Sequence, residues 1–430
     1  MMGELNQMLD IQSIPDGYKQ TEVGVIPEDW DICELQTAVD FLDGQRRPIK
    51  SGDRAKISGP YPYYGASGIV DYVNDYIFDD NLILLGEDGE NILSRNLPLA
   101  FMVSGKIWVN NHAHVMKPKD SFDIIYLTEY LESKDYSLLN SGTAQPKLNK
   151  QTCLKIKVIK PTKKEQTAIA KVLSDTDALI ISLEKLVAKK QTIKTATMQQ
   201  LLTGRTRLPQ FAKHPDGVLK GNKPSELGLI PEDWICVKLG EIGQCIIGLT
   251  YSPRDVSDTG TLVLRSSNVQ NNKLAYQDNV FVNMDLPERV IVRKGDILIC
   301  VRNGSRKLIG KCALIDHTAE GCAFGAFMAI YRTKAHDFIF YQFQSNLIHN
   351  QIDETMGATI NQITNKDLSG FIISMPSCDQ EQTAIATILL DMDAELEALE
   401  QKLAKFRDIK QGMMQQLLTG RIRLPLDQQP

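Results

Sequence analysis

Residues 165–209 read EQTAIAKVLSDTDALIISLEKLVAKKQTIKTATMQQLLTGRTRLP, and residues 381–425 read EQTAIATILLDMDAELEALEQKLAKFRDIKQGMMQQLLTGRIRLP. Aligned without a gap, the two stretches share 27 of 45 residues. Their separation of 216 residues (381 minus 165) is far longer than the roughly 20 to 50 residues of a solenoid repeat. Each copy therefore belongs to a domain-sized half, and the sequence predicts a tandem of two related halves.

Both repeated stretches are predicted to form long helices with a coiled-coil seam. In the second copy, apolar residues alternate at steps of four and three over 385–417, with one interruption at Lys410. The first copy keeps this pattern over 169–187 and then weakens at Lys190 and Lys194. Such sustained spacing is typical of a coiled coil rather than of an ordinary surface helix. About 38 helical residues span roughly 57 Å, so we expect an antiparallel helix pair with a globular domain at either end.

A second duplicated element marks the beginning of each half. Residues 21–30 read TEVGVIPEDW and residues 225–234 read SELGLIPEDW, which favours a turn that closes on a packed tryptophan. Two variable stretches of similar size lie between this element and the repeated helix. The predicted boundaries are a first variable domain at 1–164, a first repeated helix at 165–209, a linker and second variable domain at 210–380, and a second repeated helix with its tail at 381–430.

Both variable stretches have the pattern of mixed α/β domains, with short β-branched and apolar runs between turn residues. The fold class is therefore predicted as α+β, with two mixed α/β domains separated by the long antiparallel helices and related by a pseudo-twofold internal repeat. Strands are predicted at 81–85, 99–103, 106–109, 154–159, 261–265, 296–301, 312–315, 327–330 and 371–374, and shorter helices at 122–133 and 338–352.

Composition indicates a soluble protein. With 430 residues, of which 43% are hydrophobic, the chain can build two or more cores. No uncharged apolar run approaches the roughly 18 residues of a membrane span, and no signal peptide is evident, so a cytoplasmic location without membrane contact is predicted. The eight cysteines form no Cys-x-x-Cys pair, which favours buried free thiols over a zinc site or a disulfide framework.

Clusters of basic and amide side chains are candidate nucleic-acid contacts, although the net charge is −5. Arg46 and Arg47 precede an aromatic, glycine-containing loop at 61–68, and two further clusters occupy 264–268 and 302–307. Arginine matches guanine O6 and N7, Asn or Gln matches adenine N6 and N7, and Lys, Ser and Thr hold phosphates. From composition alone, the simpler interpretation of each cluster is a solvated loop.

The duplicated opening element and the duplicated helix together resemble the specificity subunit of type I restriction-modification systems. The motifs that carry the resemblance are E-G-x-I-P-E-D-W and E-Q-x-x-I-A followed by Q-L-L-T-G-[KR]-x-R-L. In this chain the first position of the opening motif is separated from its glycine by one residue, as in Glu22-Val-Gly24. The resemblance extends from about Thr21 to Pro425, and each motif is present twice in the expected order.

In that family the variable domains are target recognition domains, each of which reads one half of a split DNA site, and the repeated helices fix the gap. The resemblance implies double-stranded DNA, two modification (methyltransferase) subunits and two restriction (motor endonuclease) subunits as partners. It implies that the chain is a non-catalytic subunit, whose partners carry out adenine methylation and restriction.

The first domain is also similar to a familiar recognition-domain subtype, through residues 63–69, 86–89 and 109–114. His112 and His114 alternate along the chain, a spacing that would put both on one face if this segment formed a strand; DNA contact, a structural hydrogen-bonded pair and a metal pair are all compatible with that spacing. The residues predicted to face DNA are Arg46, Arg47, Tyr63, Tyr64, Ser67, Asn110, Asn111, His112, His114, Gln145 and Lys147 in the first domain, and Arg265, Ser266, Asn268, Arg302, Asn303, Ser305, Arg306, Asn361 and Gln362 in the second.

Sequence motifs for catalysis or cofactor binding are weak. No Asn/Asp-Pro-Pro-aromatic tetrapeptide, S-adenosylmethionine loop or nucleotide phosphate loop is present, so no cofactor is predicted. Asp120 with Glu132 and Lys134 loosely matches a nuclease pattern, but solvated charge at the end of a helix is the simpler interpretation. A coiled-coil scaffold that does not touch DNA and a nuclease are the competing classes, and neither explains two dissimilar domains framed by near-identical helices.

Overall fold

The computed structural model describes residues 14–142, 145–357 and 361–425. The chain forms two compact units: unit 1 combines residues 1–184 with 401–430, and unit 2 is formed by residues 185–400. Each unit therefore contains the beginning of one long helix and the end of the other.

Unit 1 is built from short strands and helices that precede the first long helix. Its strands are β1 (Tyr18–Thr21), β2 (Gly24–Pro27), β3 (Asp31–Glu34), β4 (Val39–Phe41), β5 (Ser58–Gly65), β6 (Gly68–Val73), β7 (Phe78–Asp79), β8 (Leu82–Gly86), β9 (Ala100–Val103), β10 (Lys106–Val109), β11 (Ala113–Pro118) and β12 (Lys157–Lys160). Its helices are α1 (Leu35–Ala38), α2 (Ser51–Arg54), α3 (Asn91–Ser94), α4 (Ile124–Glu132), α5 (Lys150–Leu154) and the first part of α6 (Lys163–Leu202).

Two four-stranded sheets form the centre of unit 1. One sheet has the order β6-β5-β10-β7 with β10 parallel to β5, and the other has the antiparallel order β4-β11-β8-β9. The pair β12-β3 shares a hydrophobic core with the long helices. The main core joins the second sheet to α4 and to both long helices, with Ile83, Tyr126, Leu173 and Leu417 fully or almost fully buried.

Unit 2 repeats this plan. Its strands are β13 (Asn222–Ser225), β14 (Gly228–Pro231), β15 (Trp234–Lys238), β16 (Gly243–Ile247), β17 (Val256–Ser257), β18 (Thr261–Leu264), β19 (Val269–Gln270), β20 (Lys273–Leu274), β21 (Phe281–Val282), β22 (Ile297–Cys300), β23 (Cys312–Leu314), β24 (Ala323–Phe324), β25 (Met328–Thr333) and β26 (Ile372–Pro376). Its helices are α7 (Leu239–Ile242), α8 (His336–Phe343), α9 (Asn346–Thr355), α10 (Asn365–Gly370) and the first part of α11 (Asp379–Leu417).

One sheet of unit 2 has the same strand order as its counterpart in unit 1, and the other shares the parallel pair of strands. The antiparallel sheet β16-β25-β22-β23 corresponds to β4-β11-β8-β9, and the sheet β17-β21-β18-β24 again contains one parallel pair, β18 with β24. The predicted internal repeat and the mixed α/β class of both domains are confirmed.

The long helices pair antiparallel inside each unit, and duplicated lysine–aspartate pairs hold them. In unit 1 Lys410 Nζ lies 2.8 Å from Asp177, and in unit 2 Lys194 is paired with Asp393. The offset of 216 residues relates Asp177 to Asp393 and Lys194 to Lys410, so one ion pair is present twice. The side chain of Lys194 is 8% exposed, which explains why the apolar pattern weakens at this position of the seam.

A glycine follows each long helix and packs against an opening element. Gly420 has a φ of 72°, and a Cβ at this position would lie 2.5 Å from Pro27 and 2.9 Å from Trp30. Gly204 has a φ of 69°, and a Cβ there would lie 2.5 Å from Pro231. The left-handed backbone and the close contact both require glycine. Trp30, like its counterpart Trp234, is buried, as the opening element predicts.

Two predicted elements differ in the structure. The helix predicted at 338–352 is two helices, α8 and α9, because the Ser345 side chain accepts a hydrogen bond from Ile348 N and caps a new helix. The strand predicted at 154–159 begins only at Lys157, since α5 extends to Leu154 and is capped by Asn149.

Within the described residues, no helix is both long enough and apolar enough to span a membrane. All eight cysteines are free, and Cys153, Cys300 and Cys312 are buried.

Candidate nucleic-acid interface

In unit 1, loops from four parts of the chain converge where β5, β8 and β10 end. Asn110 N donates to the Tyr64 carbonyl at 3.1 Å, and Glu87 N donates to the His112 carbonyl at 2.8 Å. The loop before α5 joins them, because Leu148 N donates to the Glu87 carbonyl at 2.7 Å. Several residues predicted to face DNA are thus brought together by backbone hydrogen bonds.

Charged side chains surround this loop cluster. His112 Nδ1 lies 2.9 Å from each carboxylate oxygen of Asp88, and the His112 side chain is 49% exposed. The Glu87 carboxylate forms salt bridges with the Arg46 guanidinium at 2.7 Å and with Lys147 Nζ at 3.4 Å. Arg46 also donates to a backbone carbonyl at 2.8 Å, so its guanidinium is engaged inside the unit.

The His114 side chain lies beneath the loops and is buried. Its Nδ1 lies 2.8 Å from Asp43, and its Nε2 lies 2.9 Å from the Leu148 carbonyl. Both neighbours are acceptors, which requires a ring protonated on both nitrogens. Burial by itself lowers the pKa of His114, but the hydrogen bonds to Asp43 and Cys153 outweigh it and raise the pKa to about 10. The same pairing lowers the pKa of Asp43 in spite of its burial.

Tyr63 is 1% exposed, and its hydroxyl accepts a hydrogen bond from Ile49 N at 3.0 Å. The guanidinium of Arg54 lies over the Tyr63 ring at 4.9 Å. Arg47 is exposed, and its carbonyl accepts from Trp108 Nε1. Tyr63 thus packs the hairpin from inside while Arg47 remains at the surface.

The predicted residues of unit 1 differ widely in exposure. Exposed are Arg47, Asn111, His112, Gln145 and Lys147; half-buried are Arg46, Tyr64 and Ser67; buried are Tyr63, Asn110 and His114.

The corresponding edge of unit 2 has the same backbone pattern. Gly325 N donates to the Leu264 carbonyl at 3.0 Å, Val301 N donates to the Phe327 carbonyl at 3.0 Å, and Ile363 N donates to the Val301 carbonyl at 2.9 Å. These bonds match those of Asn110, Glu87 and Leu148 one for one.

The matched bonds define equivalent positions in the two units. Asp88 forms a β-bridge with Lys147, and Arg302 forms one with Gln362. Phe327 is equivalent to His112. The Phe327 carbonyl accepts a hydrogen bond from Val301 N, the residue after β22, just as the His112 carbonyl accepts one from Glu87 N, the residue after β8. Where unit 1 has a histidine–aspartate pair, unit 2 has the Arg302 guanidinium 5.1 Å from the centre of the Phe327 ring.

Further side-chain bonds join the loops of unit 2. Asn303 Nδ2 donates to Ser266 Oγ at 3.0 Å, and Asn361 Nδ2 donates to the Gly304 carbonyl at 3.0 Å. Asn303 N also donates to the Asn361 carbonyl at 3.2 Å. The predicted residues of these three loops therefore form one hydrogen-bonded group.

Three other predicted residues of unit 2 form salt bridges or hydrogen bonds inside the unit. Arg265 pairs with Asp278 at 2.8 Å, and Arg306 pairs with Asp353 at 3.4 Å. Asn268 is fully buried and bonds the backbone around it. Exposed are Arg302, Ser305, Arg306 and Gln362; half-buried are Arg265, Ser266, Asn303 and Asn361; buried is Asn268.

A cleft of about 440 Å³ lies beside this group. It is lined by Tyr251, Arg265, Ser266 and Phe327, among others. Phe327 is 55% exposed, the most exposed aromatic side chain among the large hydrophobic residues that the structure describes. The sequence pattern places Phe327 in a strand and does not single out Asp88; the glycine two residues before Phe327 is the available signal of a loop.

The nuclease-like pattern has a structural explanation. Glu132 accepts hydrogen bonds from Leu99 N and Ala100 N, both at 2.9 Å, and pairs with Arg95 at 2.8 Å. Its side chain is 25% exposed, so it is not simply a solvated charge and instead fixes the beginning of β9. Among the described residues, no group of three or more His, Cys, Asp or Glu side chains is arranged to hold a metal ion.

The comparisons with known proteins point to one family. The model of the type I restriction modification DNA specificity domain matches residues 27–195 and again 231–405. The chain is 26% identical over 432 residues to the type I restriction enzyme MjaVIII specificity subunit of Methanocaldococcus jannaschii, covering 95% of this chain and 96% of the relative. It is 31% identical over 201 residues to the EcoKI specificity subunit of Escherichia coli K12, which covers 43% of each chain.

Solved structures share the fold at low sequence identity. The crystal structure of a type I restriction-modification S subunit from M. genitalium matches with a TM-score of 0.59 and 16% identity, covering 90% of this chain and 96% of that one. A chain from a structure on assembly and conformational transition of the type I system matches with a TM-score of 0.51, also at 16% identity, covering 92% of this chain and 99% of that one. With two domain matches that together cover most of its length, the chain belongs to the family of type I restriction-modification specificity subunits.

Proposed function

We propose that each unit reads one half of an asymmetric, bipartite DNA site and that the long helices set the gap between the halves. The observation that supports this most strongly is that one loop framework, fixed by matched backbone hydrogen bonds, carries different side chains in the two units. A common framework presents both sets of side chains in the same way, while the unequal side chains select unequal sequences.

The exposed side chains have the chemistry that base and phosphate contacts need. Arg302 can form two hydrogen bonds to guanine, Gln362 and Asn111 can do so to adenine, and Lys147 and Ser305 suit phosphates. All five are exposed. We assign base contact to Arg302, Gln362 and Asn111 and phosphate contact to Lys147 and Ser305, with further contacts from the half-buried residues beside them.

The buried residues have a supporting role in this proposal. Tyr63, His114 and Asn268 are packed and hydrogen-bonded inside their units. A buried side chain reaches DNA only if the loop above it opens, which would break these bonds. We infer that they hold the loops in place and do not contact bases.

Catalysis in this proposal belongs to partner subunits. Two modification subunits methylate adenine at the site that the chain selects, and two restriction subunits complete the cutting complex. The relatives that the chain matches are named as specificity subunits of restriction enzymes. Because chromosomal DNA is the proposed target, we place the complex in the cytoplasm.

The proposal is tested by co-expressing the chain with the products of its neighbouring genes and mapping methylated adenine by single-molecule sequencing. We expect one bipartite motif with a fixed gap, and no such motif when the chain is omitted. A soluble complex that methylates no motif, or one uninterrupted motif, would contradict the proposal.

A further inference from the structure

We propose that two side-chain pairs determine which bases each unit selects: Asp88 with His112 in unit 1, and Arg302 with Phe327 in unit 2. This inference rests on the proposed function and deepens it by assigning Asp88 and Phe327, in addition to their partners, as specificity-determining residues.

The backbone at these positions is fixed independently of the side chains. Val301 N and Arg302 N both donate to the Phe327 carbonyl, at 3.0 and 3.1 Å, and Glu87 N donates to the His112 carbonyl at 2.8 Å. Since only main-chain atoms take part, a substitution of either side chain leaves these hydrogen bonds intact. Such positions can change in chemistry without a change of fold.

Both pairs lie at the surface of their loop clusters. His112 is 49% exposed, the Asp88 side chain is 21% exposed, and Phe327 is 55% exposed. An exposed phenylalanine has no stabilising role in the core of unit 2, since its ring is turned to the solvent and to the Arg302 guanidinium. The ring also lines the cleft beside Arg265 and Ser266, so it is placed to contact an apolar group of a ligand bound there.

The two pairs differ in what they recognise. Arg302 carries paired donors that match O6 and N7 of guanine, and the Phe327 ring suits the methyl group of a neighbouring thymine. Asp88 is an acceptor, which suits the N4 amino group of cytosine, and His112 holds its carboxylate from one side at 2.9 Å. We therefore expect a guanine next to a thymine in the half-site of unit 2, and a cytosine in the half-site of unit 1.

The test transfers the pair of unit 1 into unit 2. The variant combines Arg302→Asp with Phe327→His in the full chain, which is co-expressed with the modification subunit before methylated adenine is mapped. We expect the motif to change at one or two adjacent base pairs of one half, with discrimination against the original bases falling about tenfold or more. The other half and the gap stay as in the unsubstituted complex. Arg293→Ala is the matched control, because Arg293 is an exposed basic residue of unit 2 that pairs with Glu288 and lies outside the loop group.

Weaker methylation of an unchanged motif would overturn the inference, because it would identify phosphate contacts. If the double variant methylates nothing, the single variants Arg302→Lys and Phe327→Leu decide the question through binding of the purified complex to a library of randomised duplexes. Relaxed selection in one half supports the inference, and selection identical to that of the unsubstituted complex overturns it. Absence of any bipartite motif for the unsubstituted complex would overturn the proposed function and this inference together.

Discussion

Arg423 donates two hydrogen bonds, of 3.0 and 2.8 Å, to Asp29, a residue 394 positions earlier in the chain. Arg423 follows the second long helix, and Asp29 lies in the opening element of the first domain. Unit 2 has the equivalent contact, since Arg207 donates to both carboxylate oxygens of Asp233 at 2.8 and 3.1 Å. Each unit is thus closed by a clamp between the end of one helix and the beginning of a variable domain.

The first prediction concerns the strength of these two clamps. Arg207 is 12% exposed and also pairs with the buried Glu381, so Arg207→Ala leaves that carboxylate without its ion partner and should cost about 3 kcal/mol of unfolding free energy. Arg423 is 40% exposed, and its buried partner Glu165 also accepts a hydrogen bond from Trp30 Nε1. Arg423→Ala should therefore cost only about 1 kcal/mol of unfolding free energy.

Urea unfolding of the purified variants measures both values. Arg421→Ala, at an exposed position two residues before Arg423, is the control and should leave the unfolding free energy unchanged. A loss for Arg421→Ala equal to that for Arg207→Ala would contradict the clamp.

The second prediction concerns the paired helices of unit 2. Lys194→Asp places a carboxylate against Asp393 and should lower stability by about 3 kcal/mol, because the site is largely buried. Adding Asp393→Lys restores opposite charges and should recover much of the loss. The melting temperatures of the single and double variants measure this, and reversal of the exposed pair Lys171 and Asp175 should have little effect. A double variant no more stable than the single one would argue against the pairing.

The sequence predicts the helices well and the interface only in part. The repeat and its heptads are local patterns, so they reveal both helices and the two-unit plan directly. In the sequence Lys194 interrupts the apolar seam, and its role is evident only from its partner Asp393, which lies 199 residues later. The loop cluster depends on hydrogen bonds between distant segments, such as Glu87 with Leu148, which no local pattern encodes. Phe327 is missed for a different reason: an aromatic residue directly before an apolar run has the pattern of a buried strand.

The third prediction follows from the buried His114. Its pKa is raised from 6.5 to about 10, so its contribution to stability is fully present below pH 6.5 and is lost as the pH rises through about 10. The difference in unfolding free energy between the natural chain and His114→Gln should therefore shrink as the pH increases from 7 to 10.5. Chemical denaturation at several pH values tests this; a difference that stays constant would show that the ring is not charged in the folded state.

The fourth prediction concerns the gap. We expect that four residues inserted after Glu184 and four after Glu400, where the two units divide the long helices, lengthen each helix by roughly 6 Å. The ion pairs inside each unit keep their spacing. Methylation mapping should give the same two half-site sequences at a changed gap, whereas an unchanged gap would refute the idea that the helices set it.

The central claim, that each unit independently reads one half-site, is tested most directly by giving the chain two copies of one reader. Residues 225–376 are replaced by a copy of residues 21–161, and because Trp30 and Trp234 face equivalent glycines, the helix contacts of the copy are preserved. Mapped methylation should then show a symmetric motif in which the half-site of unit 1 is present twice, in inverted orientation, around a gap. A folded complex that still methylates an asymmetric motif would contradict the account.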